Sequence, residues 1–430
     1  MITALWGFAG VLLLAFLGVP LGFAMLLAGT IGFGILRGAD PALSMLAQIV
    51  VDSSANYGMS VLPMFILMGV FVHKADVSED LYDAANAWMG HLRGGLAHAT
   101  VASCVLFAAI SGSSIATAAT MSKVAIPPMR RLGYSDTLAS GSVASAGVLG
   151  VLIPPSVPLV IYGILTETDI RKLFIATIVP GILLALLFVA AIWITVALKP
   201  ALGPPGERRS FAQRFTSLKG VWAVLILFAG VMGGLYGGVF TATESAGMGA
   251  TGALVIALAR RRMTWVRLLD SLVETGKTTA MIFTIVFGAL AFANFITLSG
   301  MTGQLVEWIV AQKMGVIGVL AAMMVIYVVL GCVMEAMGLL ILTVPVFAAL
   351  AQQMGINLIW FGIFVTMMIE IGMLTPPVGM NVFTVKAMYP DIPLSTIFKG
   401  VAPFLVANLV AVGLLIAFPQ MALYPLRWFQ

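Results

Sequence analysis

Charge is what this chain has least of. Only 9% of its 430 residues are Asp, Glu, Lys or Arg, against about 25% in an ordinary soluble domain. Its 22 basic and 17 acidic residues cannot form a polar shell around a core of this length. A soluble globular protein is therefore excluded, and the 61% hydrophobic content excludes a disordered chain. Cysteine is nearly missing. Cys104 and Cys332 both fall in apolar stretches and read as small buried hydrophobes. The three histidines, His73, His91 and His98, have no Cys or acidic residue at ligand spacing, so no metal centre is expected from them. There is no Walker motif, so ATP drive is not encoded here. Neither cysteine lies beside a histidine at helical spacing and no span carries paired Asp, so the chain does not read as an enzyme. The net charge of +5 reads as the positive-inside bias of membrane loops, not as a nucleic-acid surface. The N-terminus is apolar from Ile2 but lacks a basic start and a small-residue cleavage site, so it is expected to be a retained span.

What is present is apolar sequence in long runs. Stretches such as 180–198 and 401–418 are unbroken, whereas the strands of a membrane barrel alternate residue by residue. The expected fold class is an all-α polytopic membrane protein. Segments 57–72, 138–163, 173–198, 220–238, 243–259, 278–299, 358–384 and 400–420 approach the roughly 20 residues a crossing needs. Residues 2–36 break at Gly18-Val19-Pro20 and cross either twice or once at a tilt, two short spans being preferred. Segment 40–56 carries Asp40, Gln48, Asp52 and Asn56 and is expected to lie along the surface. Loops 199–219 and 259–277 are rich in Lys and Arg and are assigned to the cytoplasm. Working outward from them, 73–94, 123–137 and 385–399 also fall inside, and these five segments hold 17 of the 22 basic residues.

Two apolar segments fail as single spans on this map. Segment 95–122 must start and end inside, and 315–352 must start and end outside. Each reads as a hairpin that enters the membrane and turns back. The first tip is Ile110 through Thr117, and the second is Gly331 through Gly338. The first hairpin is followed by Pro127-Pro128, Gly133-Tyr134 and Pro154-Pro155. The second is followed by Pro345, Gly355-Ile356 and Pro376-Pro377. Gly133 and Pro154 are separated by the same distance in sequence as Gly355 and Pro376. The order repeats while the charge map reverses the orientation, which is an inverted-topology repeat of the kind found in secondary transporters. Proline removes a helical donor and clashes with the preceding turn. Each Pro-Pro pair is therefore expected to break a crossing and free carbonyls and amides at depth. Freed carbonyls suit a cation and helix N-termini suit an anion. Two sites follow, pairing 111–117 with 150–157 and 331–338 with 373–379. Glu335 and Glu370 are acids inside apolar segments, where such residues are costly and usually functional.

The serine-rich run 111–117, IPPMRRLGY at 126–134, GVLGVLIPPSVP at 147–158, GGVFTATESAGMGA at 237–250 and GMLTPPVGMNVF at 372–383 together resemble the large membrane subunit (DctM type) of tripartite ATP-independent periplasmic, or TRAP, transporters. The resemblance covers nearly the whole chain. It implies Na⁺-coupled import of a small organic carboxylate across the bacterial inner membrane, with no covalently bound cofactor and Na⁺ as the coupling ion. It also implies a small four-helix membrane subunit (DctQ type), a periplasmic binding protein (DctP type), and an elevator-type motion. Carried onto this sequence, the first Na⁺ site is Ser111, Gly112, Ser113, Ser114, Thr117, Gly150, Val151, Ile153 and Pro154. The second is Gly331, Glu335, Gly338, Gly372, Thr375, Pro376 and Gly379. Substrate contacts are Ser113, Ser114, Thr117 and Asn381. The expected organisation is a scaffold over 1–72 and 173–277, repeat cores over 73–172 and 278–399, and a last span over 400–430. The sequence departs from the family pattern at Glu335 (Asp in many relatives), Ala242 (often Pro) and Asn357 (often Asp). Lys123 and Lys386 are the nearest basic candidates for a substrate carboxylate, or else interfacial anchors. Glu244 reads as structural. A stand-alone Na⁺/dicarboxylate symporter and an anion channel are the alternative functions.

Overall fold

The computed structural model describes residues 2–429. The side chains of Ala109, Val310 and the tip residue Ile110 lie outside the described set. The described chain is all helix with no strand. The N-terminal run divides at residues 17–20 into α1 (Ile2–Phe16) and α2 (Leu21–Arg37), with Gly18 at φ 86° in the turn. After these come α3 (Ala39–Ala55), largely exposed, then α4 (Val61–Lys74) and α5 (Val77–Met89). A helix–turn–helix follows, α6 (Gly95–Ser111) and α7 (Ser114–Arg131). Next is a helix broken by four residues, α8 (Asp136–Leu152) and α9 (Val157–Leu165). The middle of the chain holds α10 (Ile170–Ala176), α11 (Ile178–Leu198), α12 (Phe211–Ser217), α13 (Trp222–Tyr236), α14 (Ala242–Ala259), α15 (Trp265–Leu298) and α16 (Met301–Ala311). The pattern then recurs. Helices α17 (Val316–Gly331) and α18 (Ala336–Gln353) form the second helix–turn–helix, and α19 (Leu358–Leu374) and α20 (Met380–Met388) the second broken helix. The chain closes with α21 (Leu394–Ala417) and α22 (Gln420–Leu423).

Local chemistry explains why the two broken helices match. Gly133 and Gly355 end the preceding helices at φ 79° and 73°, a region only glycine enters freely. Two residues later the Ser135 hydroxyl accepts from the Leu138 amide at 3.3 Å, and Asn357 Oδ1 accepts from the Ile359 amide at 2.9 Å. These side chains satisfy amides that a helix start leaves free. Both α8 and α19 then run 17 residues before the Pro-Pro pair. Helices α7 and α18 also match, at 18 residues each. One register relates the whole of α7–α8 to α18–α19 and places Ser113 opposite Glu335, each at the N-cap of its helix. The hairpin prolines do not share it. Pro127 and Pro128 lie in the last turns of α7, while Pro345 lies mid-way along α18.

The core centres on α8 and α19, which are buried from Leu138 to Leu152 and from Trp360 to Leu374. Helix α21 crosses α8 where Gly141 meets Gly400. A Cβ on either would collide with the other helix's backbone, the close approach that small residues permit in membranes. Helix α2 likewise lies on α15, with a Cβ at Gly29 falling 2.6 Å from the Phe292 amide nitrogen.

Among the described residues, seven helical segments are long and apolar enough to cross a membrane: 57–74, 136–165, 170–198, 242–259, 265–298, 336–353 and 394–417. The bent pair α12–α13 raises the count to eight. Two expectations change. Segment 259–277 is not a loop throughout, because α15 begins at Trp265 and runs 34 residues, about 50 Å at 1.5 Å per residue. Arg267, Glu274 and Lys277 extend the helix because such unbranched side chains lose little freedom in it. Segment 336–353 is long enough to cross unaided, so its pairing with α17 across a four-residue turn defines it as half of a hairpin.

Candidate functional site

The two helix turns and the two breaks meet in pairs, as the sequence spacing predicts. The first turn is Gly112-Ser113. Gly112 has φ 58°, and its amide donates to the Ala108 carbonyl. The Ser113 hydroxyl accepts weakly from the Ala116 amide at 3.4 Å, capping α7. The Thr117 hydroxyl donates to the Ser113 carbonyl at 2.7 Å and also pairs with Ser111 Oγ at 2.7 Å. This knot of hydroxyls rests on the first break. A Cβ at Gly112 would lie 3.2 Å from the Pro155 carbonyl oxygen, and one at Gly150 would lie 3.2 Å from the Ser113 carbonyl oxygen. Gly112, Ser113 and Ser114, with Ser111 and Thr117 tied to them, therefore gather against Gly150, Pro155 and Val157, while the Ile153 side chain faces Gly181 of α11.

The second turn, 332–335, packs on the second break. A Cβ at Gly331 would lie 2.8 Å from Gly372 Cα, and the Gly379 amide donates to the Cys332 carbonyl at 3.3 Å. Thr375 turns its hydroxyl back to the Ile371 carbonyl at 2.6 Å. The Pro376 carbonyl accepts from Cys332 Sγ at 3.0 Å. Glu335 is half-buried at the start of α18. Gly338 does not join this group: a Cβ there would lie 2.7 Å from Leu21 Cδ2, so it faces α2. One helical turn past the tip, its side of α18 points away from the break. The Pro154-Pro155 and Pro376-Pro377 bonds are cis.

Contacts between the repeats were not legible in the sequence. The Ser114 hydroxyl donates to Met373 Sδ at 3.5 Å, linking the first tip to the second broken helix. Asn381 donates from Nδ2 to the Ala144 carbonyl at 3.1 Å, while its Oδ1 is buried without a partner. Asn381 is thus held between repeats through one donor, with its acceptor oxygen uncommitted. Glu370 is fully buried, and no hydrogen bond of full geometry reaches either carboxylate oxygen.

Sequence reasoning also missed Ser156 and Cys332. The Ser156 hydroxyl donates to the Val151 carbonyl across the first break and accepts from the Leu159 amide at 3.4 Å, starting α9. A serine directly after Pro-Pro is the signal that could have found it. Cys332 reads as a small hydrophobe in sequence, yet its thiol ties the second tip to the second break. Of the two basic candidates, Lys386 is engaged by the Pro390 and Ile392 carbonyls at 2.6 and 2.9 Å, at the far end of α20. There Arg130 joins the repeats, bonding Asp136 at 2.7 Å and Asp391 at 2.5 Å. That hydrogen bond holds the Asp391 carboxyl below its usual range. The expected structural role of Glu244 is seen in its capping box with Thr241.

The arrangement offers backbone oxygens at two breaks, helix N-termini beside them, and hydroxyls at one tip. It carries no group arrangement for covalent chemistry. Residues 8–421 match the family described as the tripartite ATP-independent periplasmic transporter, DctM component. The chain is 35% identical to the C4-dicarboxylate TRAP transporter large permease protein DctM of Pseudomonas aeruginosa, covering 92% of each chain. It is 31% identical to the sialic acid TRAP transporter large permease protein SiaM of Vibrio cholerae, over 98% of this chain and 97% of that one. It is 32% identical to the ectoine/5-hydroxyectoine large permease protein UehC of Ruegeria pomeroyi, over 97% of each. Among solved structures, the YdaH transporter of Alcanivorax borkumensis shares the fold with a TM-score of 0.63 at 15% identity, covering 90% of this chain and 91% of that one.

Proposed function

The chain belongs to the DctM component family of tripartite ATP-independent periplasmic transporters, and from that premise we propose that it carries a small organic carboxylate inward across the bacterial inner membrane, driven by Na⁺. In this reading it works beside a four-helix membrane subunit and receives its cargo from a periplasmic binding protein. The observation that carries the reading is the doubled unit of hairpin tip and broken helix, each tip seated on the break of its own repeat. The first unit supplies uncharged oxygen donors for Na⁺ and the second adds the Glu335 carboxylate to its backbone oxygens, with hydroxyls and helix N-termini for an anion between them. Na⁺ binding orders the tips against the breaks, the substrate anion binds beside Ser113, Ser114 and Thr117, and the loaded repeat cores move past the scaffold. The C4-dicarboxylate named for the Pseudomonas aeruginosa relative makes a dicarboxylate the first substrate class to test.

The test is uptake of radiolabelled carboxylates into proteoliposomes. The chain is reconstituted with its four-helix partner, with and without the binding protein, under an inward Na⁺ or K⁺ gradient. Uptake requiring both Na⁺ and the binding protein is expected. Na⁺-driven uptake by this chain alone would reassign it as a stand-alone symporter. Conductance without saturable, Na⁺-dependent uptake would make it a channel.

A further inference from the structure

Among the described residues, Glu370 is the only acidic side chain with no exposure at all. It belongs to none of the described ion pairs, and no hydrogen bond of full geometry reaches either oxygen, the backbone of Leu152 offering a weak polar contact. A buried carboxylate left like this is strongly destabilising unless a positive charge or a proton neutralises it. The helix does not need it. The repeat register places Val148 of α8 opposite Glu370, and Val148 is equally buried in a helix of the same length with the same break. The acid is thus an addition to the second repeat.

Its surroundings tell what it serves. Glu370 lies on the helix of the second break, yet its carboxylate lies against the backbone of Leu152, the last residue of α8 before the first break. Met373, three residues on and on the same face of α19, accepts from the Ser114 hydroxyl of the first tip. The face of α19 that carries Glu370 therefore lies across the first tip and the first break. The candidate donors at that break, Gly150, Val151, Ile153 and the hydroxyls of 111–117, are all uncharged. Of the basic residues on these helices, Arg130 and Lys386 are committed at the ends away from the break, and Lys123 is exposed.

We infer that Glu370 is the anionic counter-charge of the cation held at the first break, supplied in trans by the second repeat. This inference rests on the Na⁺-coupled reading above and deepens it. Filling the first site then fastens the two repeats together, so that Na⁺ entry favours the state in which both breaks are closed.

The test measures Na⁺ binding directly, as the Na⁺ concentration that gives half-maximal stabilisation of the purified full-length chain against thermal unfolding, with choline as the control cation. Glu370→Gln keeps the shape and removes the charge. Glu370→Met also removes the polar atoms, a replacement that buried ionic sites commonly tolerate, so the test stands if the amide variant fails to insert. The half-effective Na⁺ concentration is expected to rise about tenfold or more in each, while in choline, where no Na⁺ offsets the buried charge, the variants are expected to melt no lower than the wild type. A folded variant whose Na⁺ curve matches the wild type overturns the role of Glu370 and leaves Na⁺ coupling intact. A wild-type protein that Na⁺ fails to stabilise overturns the Na⁺-coupled reading itself, and this inference with it.

Discussion

Ser113 joins two helices at the first tip. Its hydroxyl caps α7, and its carbonyl accepts from Thr117, while Ser114 next to it reaches Met373 of the other repeat. Removing one weak cap costs about 1 kcal/mol, little for a helix buried on several sides. The double variant Ser113→Ala with Ser114→Ala is therefore expected to express and insert normally while losing Na⁺-dependent uptake at least about tenfold. Uptake equal to wild type at matched membrane levels would remove the first tip from the site. Which residues could be read from sequence follows from the range of their interactions. Gly150, Ile153 and Pro154 are legible because Pro154-Pro155 falls in the middle of a long apolar run, where the lost donors and the ring clash break the helix, whereas Pro127-Pro128 is accommodated within α7. Cys332 and Asn381 act through partners at Pro376 and Ala144. Sequence flags Asn381 as a polar residue near a break, but not that it is tied to the opposite repeat. Gly338 shows the converse limit: its place near the second tip suggested the site, and helical rotation turned it toward α2.

Element boundaries were set by short-range chemistry, and most were legible for that reason. Ser135, Asn357 and Thr241 begin helices at the expected apolar runs. The start of α15 was not, because hydropathy marks where a helix enters apolar surroundings and not where it begins. Its charged first turns pair with the end of α4 and the turn after it, Glu274 with Lys74 at 3.4 Å and Arg267 with Asp76 at 3.9 Å, so the helix persists outside the apolar zone. Packing between elements was less legible still, since glycines are frequent in this chain and only the fold shows which ones allow contact. Gly400 is one. A Cβ there would strike the Thr137 carbonyl oxygen and the α8 backbone, whereas a Cβ at Gly413 on the same helix would meet nothing within 4 Å. Gly400→Ala is expected to cost about 1–3 kcal/mol and to lower the melting temperature of the purified chain, with Gly413→Ala close to wild type. Equal melting temperatures for the two would mean that α8 and α21 are not held at this crossing.

At the scale of the whole molecule, the two halves share a register but not a charge pattern. The turn after α7 follows Arg130 and Arg131 and is bound to Asp136 and Asp391. The matching turn after α18 carries Gln352 and Gln353 and no basic residue until beyond α19. If the halves were related by an axis along the membrane normal, both turns would face the same side, and the basic residues would have no reason to favour one. An axis in the membrane plane, as proposed for this chain, would put them on opposite sides, and the positive-inside bias would then select the basic turn for the cytoplasm. Arg131 and Gln353 occupy equivalent positions, the last residues of α7 and α18, and both are exposed. Cys104 and Cys332 are buried, so single cysteines at these two positions can be read against a quiet background. With a membrane-impermeant maleimide applied from the periplasmic side, Gln353→Cys is expected to label in intact spheroplasts and Arg131→Cys only after permeabilisation. Labelling of both from one side would replace the inverted repeat with a parallel one. The two breaks would then open toward the same face, and a single set of tips could no longer gate the substrate alternately from either side.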